Sequence, residues 1–191
     1  MKTAAPAAPQ QPVVSITVAV IGAGRAGREF ALACASAGFT VVLEDVMPAR
    51  LRHAEAAFTE LGRSVRLVST VEDAVRDADL VMDFVPDELE SKLEIWSLID
   101  RMAPPKTVMC TPSAVLSITD LASCTYRDDR CVMVRGELLG GREVRVLTAR
   151  GVAKKTRELT ERVFEALGHA VVVEGDPDLP MLLKNMGASQ L

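Results

Sequence analysis

Few residues in this chain can hold a phosphate or move a proton, and their spacing limits what they can do. Gly22, Gly24 and Gly27 stand in the order G-x-G-x-x-G, directly after an apolar run that ends at Ile21. In that order the first glycine permits a tight turn and the second lets backbone N–H groups approach a pyrophosphate. The third lets a helix pack closely on a sheet. Ala23, Arg25 and Ala26 share the turn and the start of that helix, where unpaired N–H groups and the positive dipole end favour an anion. Asp45 follows Gly22 by 23 residues, where a carboxylate can accept both hydroxyls of an adenosine ribose. Glycines also mark ordinary turns, and a purely structural βαβ unit is the alternative. The order strand, glycines, helix, strand, acid favours a dinucleotide.

Asp45, backed by Glu44, should repel a 2′-phosphate, so the expected cofactor is NAD. Arg50 and Arg52 would soften that preference if they folded back.

Proton-transfer groups are scarcer. Oxidation of an alcohol by hydride transfer needs a group of near-neutral pKa, most often His. The chain has two. His53 is expected mid-helix, facing solvent. His169 is expected before a strand, at the sheet edge away from the carboxyl ends where ligands bind. Arg135 cannot serve, because a guanidinium does not lose its proton in proteins. Ser113 and Tyr126 have no activating partner placed by the sequence. Cys34, Cys110, Cys124 and Cys131 show neither C-x-x-C nor metal-ligand spacing, so no metal is expected. Buried free thiols in a reducing compartment, the cytoplasm, are expected.

These groups need elements to position them. Apolar runs predict strands over 16–21, 39–43, 65–68, 80–85, 107–110, 131–134, 143–148 and 170–173. Helices are predicted after the glycine turn, with Ala26, Phe30, Ala33, Cys34 and Ala37 on one face, and over 48–61, 71–78, 88–102 and 153–167. A short helix starts at Ser117, and 112–115 form a loop. Alternating strands and helices imply an α/β fold, a doubly wound, mostly parallel sheet with helices on both faces. Residues 1–13, rich in Ala, Pro and Gln, are expected as a disordered tail. Residues 14–175 are expected as one domain, and 176–191 as a C-terminal segment. With 191 residues, 49% of them hydrophobic, the chain can build one substantial core. A net charge of −4 gives no reason to expect nucleic acid or an anionic membrane as partner. No apolar run reaches the ~18 residues of a membrane span.

Several stretches in order, VAVIGAGRAGREFALACASAGFTVVLED, DADLVMDFVPDELESKLEIW, LIDRMAPPKTVMCT, LSITDLA and ALGHAVVVEGDPDLP, resemble the NAD-binding domain of 3-hydroxyacyl-CoA dehydrogenases. The resemblance implies a Rossmann-type fold, NAD as cofactor and an oxidoreductase of fatty acid metabolism. It also implies an acyl-CoA or other small anionic substrate. Gly22, Gly24, Gly27 and Asp45 match its cofactor motif, with Val85 and Pro86 at the end of the fourth strand. Asp87 and Lys92 match a Glu and a Lys that lie beside nicotinamide and substrate. A helix N-terminal acid and a solvated lysine are the alternatives for these two.

The departures fall on the chemistry. The family's substrate-contacting Ser falls at Ala114, beside Ser113, and its catalytic His falls at Arg135. The Glu that partners this His falls at about Leu147. Arg135 is then either a surface partner of Glu137 or an anion-binding residue. The family's helical C-terminal domain is expected to be absent. A homodimer, or a separate helical partner, is therefore expected, with the apolar segment 179–183 in or near the interface. The function implied is an NAD(H)-binding domain that is weak or inactive in the family's reaction alone. The alternative is a nucleotide-responsive module that docks on a partner.

Overall fold

Strand alternation divides the core of this protein between two faces of one sheet. The computed structural model describes residues 15–178. Its strands are β1 (Thr17–Ile21), β2 (Thr40–Glu44), β3 (Arg66–Val68), β4 (Leu80–Asp83), β5 (Val108–Pro112), β6 (Cys131–Gly136), β7 (Glu143–Thr148) and β8 (Ala170–Gly175). The helices are α1 (Arg25–Ser36), α2 (Pro48–Glu60), α3 (Val71–Val75), α4 (Leu89–Met102), α5 (Ile118–Ser123) and α6 (Lys154–Ala166). Val18, Val20 and Leu43 pack with Phe30, Phe58 and Phe164 on one face. Ala19, Ile21 and Val42 pack with Trp96, Ile99 and Leu121 on the other. Successive side chains of a strand point to opposite faces, so Val18–Ile21 of β1 and Val41–Leu43 of β2 run apolar without alternation because both faces are covered.

The strand order is β3-β2-β1-β4-β5-β6-β7-β8. From β1 the chain builds outward to β3, then returns to lay β4 on the other side of β1. The crevice between β1 and β4, at their carboxyl ends, is where open sheets of this kind bind ligands. All pairs from β1 to β6 are parallel, β7 is antiparallel to β6, and β8 is parallel to β7. The Rossmann-type doubly wound arrangement expected from the sequence is the fold observed.

Two local expectations are corrected. The buried stripe of α1 is Gly27, Phe30, Ala31 and Cys34, while Ala26 and Ala37 are exposed. Close contact of Gly27 with the turn before the helix sets its rotation, one residue from the face expected. The amino end of β8 also lies on the same side as the carboxyl ends of β1–β6, because Glu143 pairs with Ala170 and Val144 with Gly136. His169 is therefore on the ligand side of the sheet, and its placement on the far side was wrong. The reversal of β7 carries β8 with it.

Among the described residues, no helix is long and apolar enough to cross a membrane. The expected tail 1–13 and the interface segment 179–183 lie outside the described residues.

Candidate functional site

The turn from β1 into α1 is shaped by its glycines. Gly22 has φ +98°, the left-handed region that only glycine adopts freely. Gly27 faces the turn itself, where an added Cβ would lie 1.9 Å from the carbonyl oxygen of Gly22. Gly24 differs, because a Cβ there would find no atom of the described residues within 4 Å. It caps α1, which has no side-chain cap and no acid in its first turn. The leading N–H groups of a 12-residue helix thus border open space without an intramolecular side-chain acceptor. Arg25 extends along the surface to Glu29 at 2.9 Å, so it presents its backbone to the turn. Ala23 is buried, and its carbonyl oxygen accepts from Arg28 Nη1 at 2.8 Å.

Asp45 directly follows β2 beside this turn. Its Oδ2 accepts from the Ala23 amide at 2.9 Å and lies 3.3 Å from Arg50 Nη1, and its Oδ1 accepts from the Met47 amide at 2.8 Å. The carboxylate therefore joins the glycine turn to the end of β2. Arg50 does fold back. Next to it, Glu44 is only 3% exposed, and its Oε1 has no hydrogen-bond partner among the described residues. Burial, then the charge of Asp45, pushes its carboxyl up to about 7, against the backbone amide of Gly22. Both acids line a crevice of about 380 Å³ whose apolar walls include Val46, Val71, Val85 and Ile95, with Pro86 at its rim. Open space at Gly24, unpaired helix amides, a flat apolar slot and an orphaned acceptor fit a bound dinucleotide.

A second crevice of about 320 Å³ follows along the carboxyl ends of β5 and β6, lined by Asp87, Pro112, Ser113, Ala114, Arg135 and Leu138. Asp87 is exposed, and its Oδ2 accepts from the Ala114 amide at 3.0 Å. The Ser113 hydroxyl accepts from the amides of Val115 at 3.2 Å and Leu116 at 2.9 Å, shaping the loop. Arg135 holds the same loop from β6. Its Nε donates to Ser113 O at 3.1 Å, and its Nη2 donates to Leu116 O at 2.9 Å and to Asp178 Oδ2 at 2.5 Å. The surface pair expected with Glu137 does not form; Glu137 pairs with Arg142 at 3.2 Å.

Lys92 is neither at the crevice nor in solvent. It is fully buried, with Nζ 2.7 Å from Asp83 Oδ1, while Trp96 Nε1 donates to Asp83 Oδ2 at 2.9 Å. The acid ending β4 draws both side chains of α4 inward, because an unpaired buried carboxylate would be costly. This placement corrects both expectations for Lys92. Leu147 is also fully buried, in the core cluster that holds Trp96.

The remaining candidates do not converge on the crevice. His53 is exposed on α2. His169 is buried, with Nδ1 2.8 Å from Arg142 O and Nε2 3.0 Å from Leu138 O, so both ring nitrogens are engaged. Tyr126 is 99% exposed, and its amide donates to Asp100 at the far end of α4. Cys34, Cys110 and Cys131 are buried as expected, but Cys124 is exposed. Among the described residues, no group of His, Cys, Asp or Glu could hold a metal ion. The sequence reading missed Asp83, for which an acid at a strand end followed by Lys and Trp four apart was a signal. It also missed Asp178, for which there was none.

Comparison with known proteins bears on this geometry. The family described as 3-hydroxyacyl-CoA dehydrogenase, NAD binding domain, matches over residues 17–66 and 55–135. A probable 3-hydroxybutyryl-CoA dehydrogenase of Bacillus subtilis is 29% identical over 133 residues, covering 60% of this chain and 46% of that protein. The mitochondrial hydroxyacyl-coenzyme A dehydrogenase of Mus musculus is 31% identical over 136 residues, covering 59% and 43%. The solved structure of a 3-hydroxyacyl-CoA dehydrogenase from Archaeoglobus fulgidus superposes with a TM-score of 0.74 at 28% identity, covering 91% of this chain and 60% of that one. The chain spans less than half the length of the curated relatives it matches.

Proposed function

Because the chain belongs to the family of 3-hydroxyacyl-CoA dehydrogenase NAD-binding domains, we propose that its glycine-turn crevice holds NAD(H) and that it is weak or inactive in hydroxyacyl oxidation by itself. The reading assigns the pyrophosphate to Gly22–Gly27, the adenosine ribose to Asp45 and the adenine slot to the crevice bordered by Val85 and Pro86. The single observation that carries it is Gly24. A helix start left open, without side-chain cap or acid, lies where the family's cofactor motif requires it.

NAD, when bound, supplies a hydride acceptor and donor; the chain supplies orientation and must manage the proton. The groups facing the second crevice are poorly suited to that. Asp87 already accepts from a backbone amide, Ser113 accepts from two, and Arg135 is a guanidinium. A core leucine stands where the family's second acid would be. These observations support the reading that an acyl-CoA or another small anionic substrate is turned over only with help from a second copy or a helical partner. They equally favour a nucleotide-responsive module that docks on such a partner. The four free cysteines are in keeping with a reducing, cytoplasmic setting.

The test is single-turnover mixing of the protein with NADH and acetoacetyl-CoA. Saturable NADH binding without NADH oxidation is expected. Rapid oxidation would overturn the inactive reading, and absence of NADH binding would overturn the function proposed.

A further inference from the structure

Resting on the reading of the second crevice as the substrate side of a nucleotide site, we infer that Arg135 is the head-group site for a short-chain carboxylate anion, which Asp178 occupies from within the chain.

The guanidinium is already a built anion receptor. Two of its donors are spent on Ser113 O and Leu116 O, at 3.1 and 2.9 Å, which fix its plane against the loop. Its outward Nη2 meets a carboxylate oxygen, Asp178 Oδ2, at 2.5 Å. Nη1 makes no hydrogen bond among the described residues, so the fork has an edge to spare for a second oxygen. The side chain is 17% exposed, and that of Asp178 is 37% exposed. The cation is thus well shielded, while its partner is open to exchange with solvent.

Asp178 reaches Arg135 because the chain after β8 is stapled down. Asp176 Oδ2 accepts from Ser117 Oγ at 2.7 Å and from the Thr119 amide at 2.8 Å, and Asp176 Oδ1 accepts from the Asp178 amide at 3.1 Å. Burial pushes the Asp176 carboxyl up, but these bonds outweigh it and hold it below the usual carboxylate range. The staple depends on Asp176, so Asp178 itself can turn away without releasing the segment.

The rest of the crevice sets the ligand class. Pro112, Ala114, Val134 and Leu138 give it apolar walls, and its volume of about 320 Å³ suits a short hydrocarbon tail. Asp87 opposes a second negative charge at its end of the crevice. A monocarboxylate, with its head on Arg135 and its tail across Leu138, satisfies all three constraints. An internal carboxylate on the same cation acts as a competitor, and the apparent affinity falls by the fraction of time it is seated.

The experiment is calorimetric titration of sodium butyrate, and of neutral butyramide, into the NADH-saturated full chain at constant ionic strength. The Asp178→Asn variant should bind butyrate about tenfold more tightly than the unaltered protein, with no binding of butyramide. Arg135→Gln should abolish butyrate binding. Should that variant fail to fold, Arg135→Lys, which keeps the charge without the planar fork, should weaken it several-fold. Unchanged or weaker butyrate affinity in Asp178→Asn would overturn the site, as would equal binding of butyramide. No butyrate heat up to ~100 mM in Asp178→Asn would also overturn it. An NAD titration of the same proteins before NADH is added reports the nucleotide crevice separately. Its failure would strike the proposed function and leave the anion result standing.

Discussion

The backbone amide of Ala23 donates to Oδ2 of Asp45 at 2.9 Å, in a buried bond that ties the glycine turn to the end of β2. The residue proposed to hold the ribose thus also sets the shape of the turn proposed to hold the pyrophosphate.

Asp45→Asn tests that double role. A charge-assisted bond becomes a neutral one, and the Arg50 contact loses its ionic part, so stability should fall by about 1–3 kcal/mol. NAD should bind more weakly, and discrimination against NADP should shrink, since one repelling charge is gone and Arg50 is freed. Denaturant melts and paired titrations with the two cofactors check both effects. An unchanged NAD-to-NADP ratio would count against the ribose assignment.

Glu44 makes stability depend on pH. Its folded pKa is raised from 4.5 to about 7, so the folded state binds the proton more tightly than the unfolded one. The stability linked to this proton is complete below pH 4.5 and is lost as pH rises through about 7. Glu44→Gln keeps the shape without the charge. Relative to the unaltered protein it should gain stability as pH rises from 5 to 8, an interval chosen to bracket that window. Parallel pH profiles for the two proteins would refute the assignment.

Lys92→Met should destabilise the fold without touching the crevices. It leaves the buried Asp83 without its cationic partner, with Trp96 remaining, a loss of about 3–5 kcal/mol. Chemical denaturation measures it. A loss under ~1 kcal/mol would show that the pair is dispensable.

The sequence made the core of this fold readable because both-face burial leaves uninterrupted apolar runs in β1, β2 and β4. Strand direction was harder. Nothing in EVRVLT says that β7 runs against its neighbour, and the error moved His169 to the wrong side of the sheet. The available cue was the turn before it, where Gly136, Gly140 and Gly141 all have positive φ and return the chain as a hairpin. Lys92 was misplaced because burial of a charge depends on its tertiary partner, Asp83, nine residues earlier. Gly22 and Gly27 were legible because a left-handed φ at one and a backbone contact at the other both demand glycine. Asp178 reaches Arg135 across 43 residues of chain, a contact no local pattern encodes.

Gly24→Val is the most direct test of the nucleotide crevice. The backbone at 24, φ −61° and ψ 179°, is open to any L residue, and a Cβ there meets no atom of the described residues within 4 Å. The fold should therefore survive, while a branched side chain fills the space assigned to the pyrophosphate. Calorimetric titration with NAD should show saturable one-to-one binding for the unaltered protein. For the folded variant, affinity should fall at least about a hundredfold, or ~2.7 kcal/mol. A folded Gly24→Val protein that still binds NAD with its original affinity would contradict the account.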